Sequence, residues 1–267
     1  MISRLKIFLQ TLVVMLAFLS VEVHADLLND IIERGTLRIG VSLFEPWTME
    51  DESGQLSGYE IDVTKKLAED MSVKPKFIVY KWEDIIQALR KGEIDIIAGG
   101  MAITPARALK INFSNPYATS GISIATNTKM TRDIKSLEEL NQENIIISGV
   151  SESVSYELAN RIFDKANVKA FKTAEEATNA VVAGEAHAYV ATSPQPKFLA
   201  LKYPQKIDMP MTKPLLSYKA GFGISKGEQE WLNFLNAWII AREADKWLMA
   251  THKHWFGSLG WRKEMNQ

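Results

Sequence analysis

One segment constrains this chain more than any other: Asp95 to Tyr117, DIIAGGMAITPARALKINFSNPY. The apolar run Ile94, Ile96, Ile97 and Ala98 predicts a buried strand that passes through two glycines into a helix start. Thr104 fits the cap of that helix, and Pro105 its first turn, where a missing N–H costs nothing. Arg107 then falls in the first turn, beside backbone N–H groups with no partner inside the helix. A free carboxylate placed there meets a helix N-terminus and a guanidinium fork together. A lone Arg is usually a solvated charge. The glycines before this one and the FSNPY after it favour a binding role instead.

The segment resembles the signature of the periplasmic solute-binding proteins of polar amino-acid ABC transporters, known as family 3. That signature is a Gly/Ser-rich turn, I-T-x-x-R, a short spacer and F-S-x-P-Y. Ile103, Thr104, Arg107, Phe113, Ser114, Pro116 and Tyr117 match it. The resemblance extends over roughly the whole mature chain, to an ending at Trp255-Phe256-Gly257 similar to the family's common terminus.

The N-terminus reads as an export signal. Arg4 and Lys6 precede a mainly apolar stretch from Ile7 to Val23, and Val23-His24-Ala25 has the small-residue pattern of a cleavage site. A mature chain beginning at Asp26 is expected, in the periplasm. An uncleaved anchor is the alternative, disfavoured by Glu22 and a short apolar core. The formal net charge of the 267 residues is -1; removing Arg4, Lys6 and Glu22 leaves -2. With no basic runs, nucleic acid is not an expected partner. There is no cysteine, which excludes disulfides, thiolate metal sites and lipoprotein attachment. His187, His252 and His254 share no metal-ligand spacing, and no G-x-S-x-G, H-E-x-x-H or P-loop pattern is present. No metal or cofactor is expected.

About 240 mature residues suit one large or two modest domains. Strands and helices alternate, which predicts an α/β fold. Leu37 to Ser42 and Lys76 to Tyr80 read as strands, and a helix begins at Tyr59. Trp82, Ile85, Ile86 and Leu89 fall at i, i+3, i+4 and i+7 and predict one helix face before Gly92. A weak repeat follows. A helix ending at Gly92 leads into Glu93-Ile94-Asp95 and a strand; one ending at Gly184 leads into Glu185-Ala186-His187 and a strand. The second helix opens with a capping box, Thr173 with Glu176. Asn144 to Ser148 is a further strand, running into Gly149. The resemblance implies a two-lobed type II periplasmic-binding fold with two hinge crossings, near Tyr117 to Ser123 and near Leu215 to Ala220. Residues 1–25 are then the signal, 26–119 with 216–267 the first lobe, and 120–215 the second. The aromatic C-terminal segment, with Trp231, Phe234, Leu235, Trp238 and Trp247, reads as core returning to the first lobe.

By resemblance, Arg107 grips a ligand carboxylate, while Gly100 and Ala102 offer backbone groups beside it. Many relatives carry a hydroxyl where Ala102 stands. Phe44 and Tyr59 match the family's aromatic walls, with Trp47 close by; ordinary packing after Pro46 explains Trp47 equally well. Asp62 reads as a structural helix-start residue. Ser151-Glu152-Ser153 replaces the Ser-Gly-Thr loop frequent in relatives. Its two serines can donate hydrogen bonds, and Glu152 either holds a cationic group or points to solvent. Thr192 takes the place where amino-acid-binding relatives usually carry an Asp for the ligand ammonium. A hydroxyl cannot offset a buried ammonium as a carboxylate does. Either another acid, Glu45 or Glu152, takes that role, or the ligand has no amino group.

The expected function is capture of a small carboxylate-bearing solute, an amino acid or close relative, in an interlobe cleft. A monomer would deliver it to a membrane ABC permease. Two alternatives remain on this scaffold. One is an enzyme resembling the periplasmic cyclohexadienyl dehydratases; it would need a general acid that Thr192-Ser193-Pro194-Gln195 does not supply. The other is a module presenting ligand to a sensor.

Overall fold

The computed structural model describes residues 26–211 and 213–257. The expected leader and cleavage site at residues 1–25 lie outside them. Asp26 caps α1 (Leu27–Arg34), its carboxylate accepting from the Leu28 N–H. β1 (Thr36–Val41) follows, with Leu37, Ile39 and Val41 sharing one buried face. A hairpin of β2 (Met49–Glu50) and β3 (Leu56–Ser57) turns over Asp51, whose carboxylate accepts from the Ser53 and Gln55 N–H groups. α2 (Tyr59–Asp70), β4 (Lys74–Val79), α3 (Ile85–Arg90), β5 (Ile96–Ile97) and α4 (Pro105–Ala108) lead to the 16-residue β6 (Asn112–Asn127). Next come β7 (Ile146–Val150), α5 (Val154–Ile162), β8 (Asn167–Phe171) and α6 (Ala174–Ala183), which carries the predicted capping box. β9 (Ala188–Thr192), α7 (Gln195–Lys202), β10 (Ile207–Asp208), β11 (Leu216–Ile224), α8 (Gln229–Ala244) and α9 (Trp247–Gly257) complete the chain.

Among the described residues these strands form one nine-stranded mixed sheet of order β4-β1-β5-β11-β6-β9-β7-β8, with β10 on β6, plus the β2–β3 hairpin. β4, β1 and β5 are parallel at one end, and β8, β7 and β9 are parallel at the other. Between them β11 and β6 run antiparallel to each other. β6 belongs to both halves. Phe113 and Pro116 pair with β11, while Ile122 to Thr126 pair with β9. Pro116 is tolerated inside this strand because it stands opposite Gly221, where the register shifts.

Side-chain alternation gives each half two cores, one on either face of the sheet. Ile96 joins the core of α2, α8 and α9, whereas its neighbour Ile97 joins that of α3. In the other half Val190 packs with Ile147 and Leu158, whereas Tyr189 packs with Ala177 and Val181. The molecule is therefore a two-lobed α/β fold joined by β6 and β11. The C-terminal aromatics return to the first core, and their indole N–H groups are satisfied there: Trp238 donates to Asp70 and Trp255 to Asp62, both at 2.8 Å. Asp62 is thus a structural partner.

One element differs from the periodicity reading. Trp82 was expected on the apolar face of a helix, but α3 begins at Ile85 and Trp82 precedes it in a turn closed by Asp84 N–H to Lys81 O. The strand expectations 76–80 and 144–148 become 74–79 and 146–150.

The start of α2 fixes the loop that walls the site. The Tyr59 and Glu60 N–H groups donate to the Pro46 and Trp47 carbonyls at 3.0 and 2.9 Å, so orphan helix donors anchor the Phe44–Thr48 loop. Gly58 makes this approach possible. Its φ is +127°, and a Cβ there would lie 2.5 Å from the Trp47 oxygen. Glu60 is fully buried. Its Oε1 accepts from the Gly100 N–H at 2.6 Å and the Tyr117 hydroxyl at 2.7 Å, while Oε2 has no hydrogen-bond partner. Burial outweighs those two donors and pushes its pKa up to about 7.

Two outcomes follow. Gly58→Ala should cost about 2 kcal/mol or more, read as a lower urea midpoint, because neither the φ nor the backbone contact can relax cheaply. For Glu60, a pKa raised from 4.5 to about 7 means that the folded state binds more protons than the unfolded state between those values. That contribution is full below pH 4.5 and is lost as pH rises to about 7. Glu60→Gln keeps an acceptor but cannot titrate. The stability of the parent relative to this variant should fall by about 3 kcal/mol from acidic to neutral pH. Parallel pH profiles in urea melts would contradict it.

Candidate functional site

A cavity of about 400 Å³ opens between the two halves. One half contributes Ser42, Phe44, Trp47, Trp82, Gly100, Ala102 and Arg107; the other contributes Val150, Ser153, Val154, Ser155, Val190 and Thr192. Tyr218, on the crossing strand β11, lies between them.

Arg107 is placed as its sequence context dictates. The Thr104 hydroxyl caps α4 by accepting from the Arg107 N–H, and Pro105 occupies the first turn. The side chain is only 8 % exposed. Nη1 donates to the Ala102 carbonyl at 3.2 Å and Nη2 to the Glu152 carbonyl at 3.0 Å, and the guanidinium lies over the Trp82 ring at 5.4 Å. Among the described residues no carboxylate comes within ion-pairing distance of it. Burial lowers its pKa, opposed by the more distant charges of Glu157 and Glu152 and by Tyr218. Carbonyl dipoles and a ring face stabilise the cation but leave its charge without a counter-ion.

Trp47 is held edge-on by Tyr59 and Phe256 and still presents a face to the cavity. Gly100, at φ +60°, lies against that ring: a Cβ there would come within 2.8 Å of it. Gly100 was expected to offer backbone groups to a ligand; it lines the cavity, but its N–H is already donated to Glu60. Tyr59 was expected on the cavity wall but is fully buried behind Trp47, its hydroxyl donating to the Tyr117 carbonyl.

The Ser151-Glu152-Ser153 turn also uses its groups differently from the side-chain reading. Ser151 points away from the cavity and donates to Glu83 at 3.4 Å. Ser153 lines the cavity, but its hydroxyl donates to the Val150 carbonyl and accepts from the Tyr156 N–H as the cap of α5. Glu152 has a φ of +57° and an exposed side chain. Its carbonyl accepts from both Arg107 and the Trp82 indole, the latter at 3.3 Å. These contacts join the two halves directly.

Thr192 is buried at the end of β9 and lines the cavity, 3.0 Å from the Tyr218 hydroxyl. Burial raises the Tyr218 pKa, so its phenol is neutral. Glu45 does not line the cavity. Sequence reasoning missed Trp82, whose spacing mimicked a helix face, and Tyr218, which carried no local signal. Among the described residues no cluster of His, Cys, Asp and Glu able to hold a metal occurs, and no helix is long and apolar enough to cross a membrane.

Comparison with known proteins agrees with this architecture. The L-cystine-binding protein TcyJ of Escherichia coli (strain K12) is 26 % identical over 253 residues, covering 92 % of each chain. The crystal structure of the ancestral amino acid-binding protein AncCDT-1, a precursor of cyclohexadienyl dehydratase, is 34 % identical with a TM-score of 0.79, covering 87 % of this chain and 100 % of that one. A putative ABC-transporter binding component from Wolinella succinogenes DSM 1740, solved with lysine, is 28 % identical with a TM-score of 0.80, over 86 % of this chain and 99 % of that one. The family profile for the bacterial extracellular solute-binding proteins, family 3, matches residues 37–258, and the chain belongs to that family.

Proposed function

We propose that this protein captures a small carboxylate-bearing solute, an amino acid or a close relative of one, in its interlobe cavity and delivers it to a membrane ABC permease. The observation that carries the reading is Arg107: a buried guanidinium, facing a cavity, whose partners among the described residues are carbonyl oxygens and the Trp82 ring, with no carboxylate paired to it. A ligand carboxylate supplies the missing charge through a two-point contact. Phe44, Trp47 and Trp82 would wall the solute, Ala102 would lie beside its carboxylate, and Thr192 would lie at the far side.

The lobes of this reading are 26–119 with 216–267 and 120–215, hinged where β6 and β11 cross. The hydrogen bonds from Arg107 and Trp82 to the Glu152 carbonyl belong to the closed form. A ligand that binds Arg107 while these bonds are made biases the hinge toward closure. The chain acts as a monomer in the periplasm after removal of residues 1–25. A dehydratase role is less well supported. The acid among the cavity-lining residues is Glu175, exposed at the rim, and a general acid for a leaving hydroxyl must reach the reacting atom.

Thermal-shift screening with amino acids and amine-free carboxylic acids should find a stabilising solute, and calorimetry then tests the site. Arg107→Ala should lower affinity for it by about a hundredfold or more while leaving the melting temperature of the free protein unchanged or raised. Unaltered affinity would remove the reading. Trp82→Phe keeps a ring over Arg107 but deletes the donor to Glu152. It should weaken binding about fivefold, the worth of one neutral hydrogen bond.

A further inference from the structure

We propose that the solute is an amine-free carboxylic acid with an apolar body, an inference that rests on the carboxylate reading of Arg107. The argument is one of charge balance in a small buried space. Arg107 brings one positive charge into the cavity interior. A monocarboxylate neutralises it. A zwitterionic amino acid brings a carboxylate and an ammonium together, leaving one uncompensated positive charge where solvent cannot screen it.

Among the described lining residues no carboxylate stands in the interior as a counter-ion for that ammonium, which would meet only ring faces and neutral oxygens. Thr192 and Tyr218 are neutral hydroxyls already bonded to each other. Ser42 donates to the Tyr80 carbonyl and Ser153 caps α5, so each has at most a neutral hydroxyl oxygen to offer. The neighbouring acids are all turned elsewhere. Glu60 is sealed behind Gly100 and Trp47 and binds Gly100 and Tyr117. Glu83 is engaged by Ser151. The Glu152 and Glu157 side chains are exposed and do not line the cavity. Glu175, the acid among the lining residues, is exposed at the rim beside the exposed cations Lys81 and Lys172.

The walls set the second half of the class. Leu43, Phe44, Val79, Val150, Val154 and Val190 line the cavity together with Arg107. They give dispersion and apolar burial to a hydrocarbon body but no hydrogen bonds. The recognised molecule is charged at one end and oily at the other.

Calorimetry on matched pairs tests this: hydrocinnamate against L-phenylalanine, and hexanoate against L-norleucine. Each pair differs only by the amino group. The amine-free member should bind at least about tenfold more tightly in each pair, and Thr192→Asp should narrow or reverse that preference while Thr192→Asn leaves it in place. An amino acid binding as tightly as its amine-free partner overturns the inference. In that case, loss of affinity in Arg107→Ala would show that the carboxylate reading itself stands. If neither member of either pair binds, the inference is overturned as well. Retained affinity in Arg107→Ala for any bound acid would overturn the underlying reading with it.

Discussion

A cation buried without its counter-ion is the constraint from which the rest of this site follows. Arg107 is held by carbonyl dipoles from Ala102 and Glu152 and by the Trp82 ring. Such partners orient a guanidinium without cancelling its charge, and the charges of Glu157 and Glu152 act on it only from a distance, without an ion pair among the described residues. In the proposed function, binding specificity and lobe closure share this one origin. The carbonyl of Glu152 lies on the opposite half from Arg107, so the side chain proposed to meet the solute also ties the halves together.

Such a charge is useful only if the surrounding surface cannot collapse onto it, and a chain of buried contacts prevents that. The first N–H groups of α2 anchor the Pro46 and Trp47 carbonyls; Trp47 backs onto Gly100; and Gly100 is pinned by Glu60. Glu60 itself is only half satisfied, which is why burial dominates its titration. The wall is rigid because each member is fixed by its neighbour, not because any one contact is strong.

Legibility in the sequence followed how local each signal was. The strand, glycine turn and helix start around Arg107 were readable because cap, proline and arginine act within a few residues of one another. The two-lobed fold came from alternation and family resemblance. Trp82 was misread because four apolar residues at helical spacing do not reveal that the helix begins only at Ile85. Tyr59 looked like a ligand contact yet is turned inward, and Gly100 lines the cavity with its N–H already taken by a carboxylate forty residues away in sequence. Ser153 was read as a donor to the ligand, though its position before a helix equally fits the cap it forms. Tyr218 reaches Thr192 only through strand pairing across the molecule, which no local pattern encodes.

The turn at Glu152 has a consequence for how such a site stores information. What it presents to Arg107 and Trp82 is a peptide plane, aimed by a left-handed torsion at a residue whose side chain faces water. The side chain of residue 152 acts on Arg107 only through its distant charge, while its handedness sets both contacts. An alanine scan would perturb the torsional preference without deleting either contact, and so would misjudge the position. A substitution to glycine, which removes more side chain, would preserve the geometry better. Recognition here is written partly in backbone stereochemistry, a register that side-chain comparison between relatives does not read.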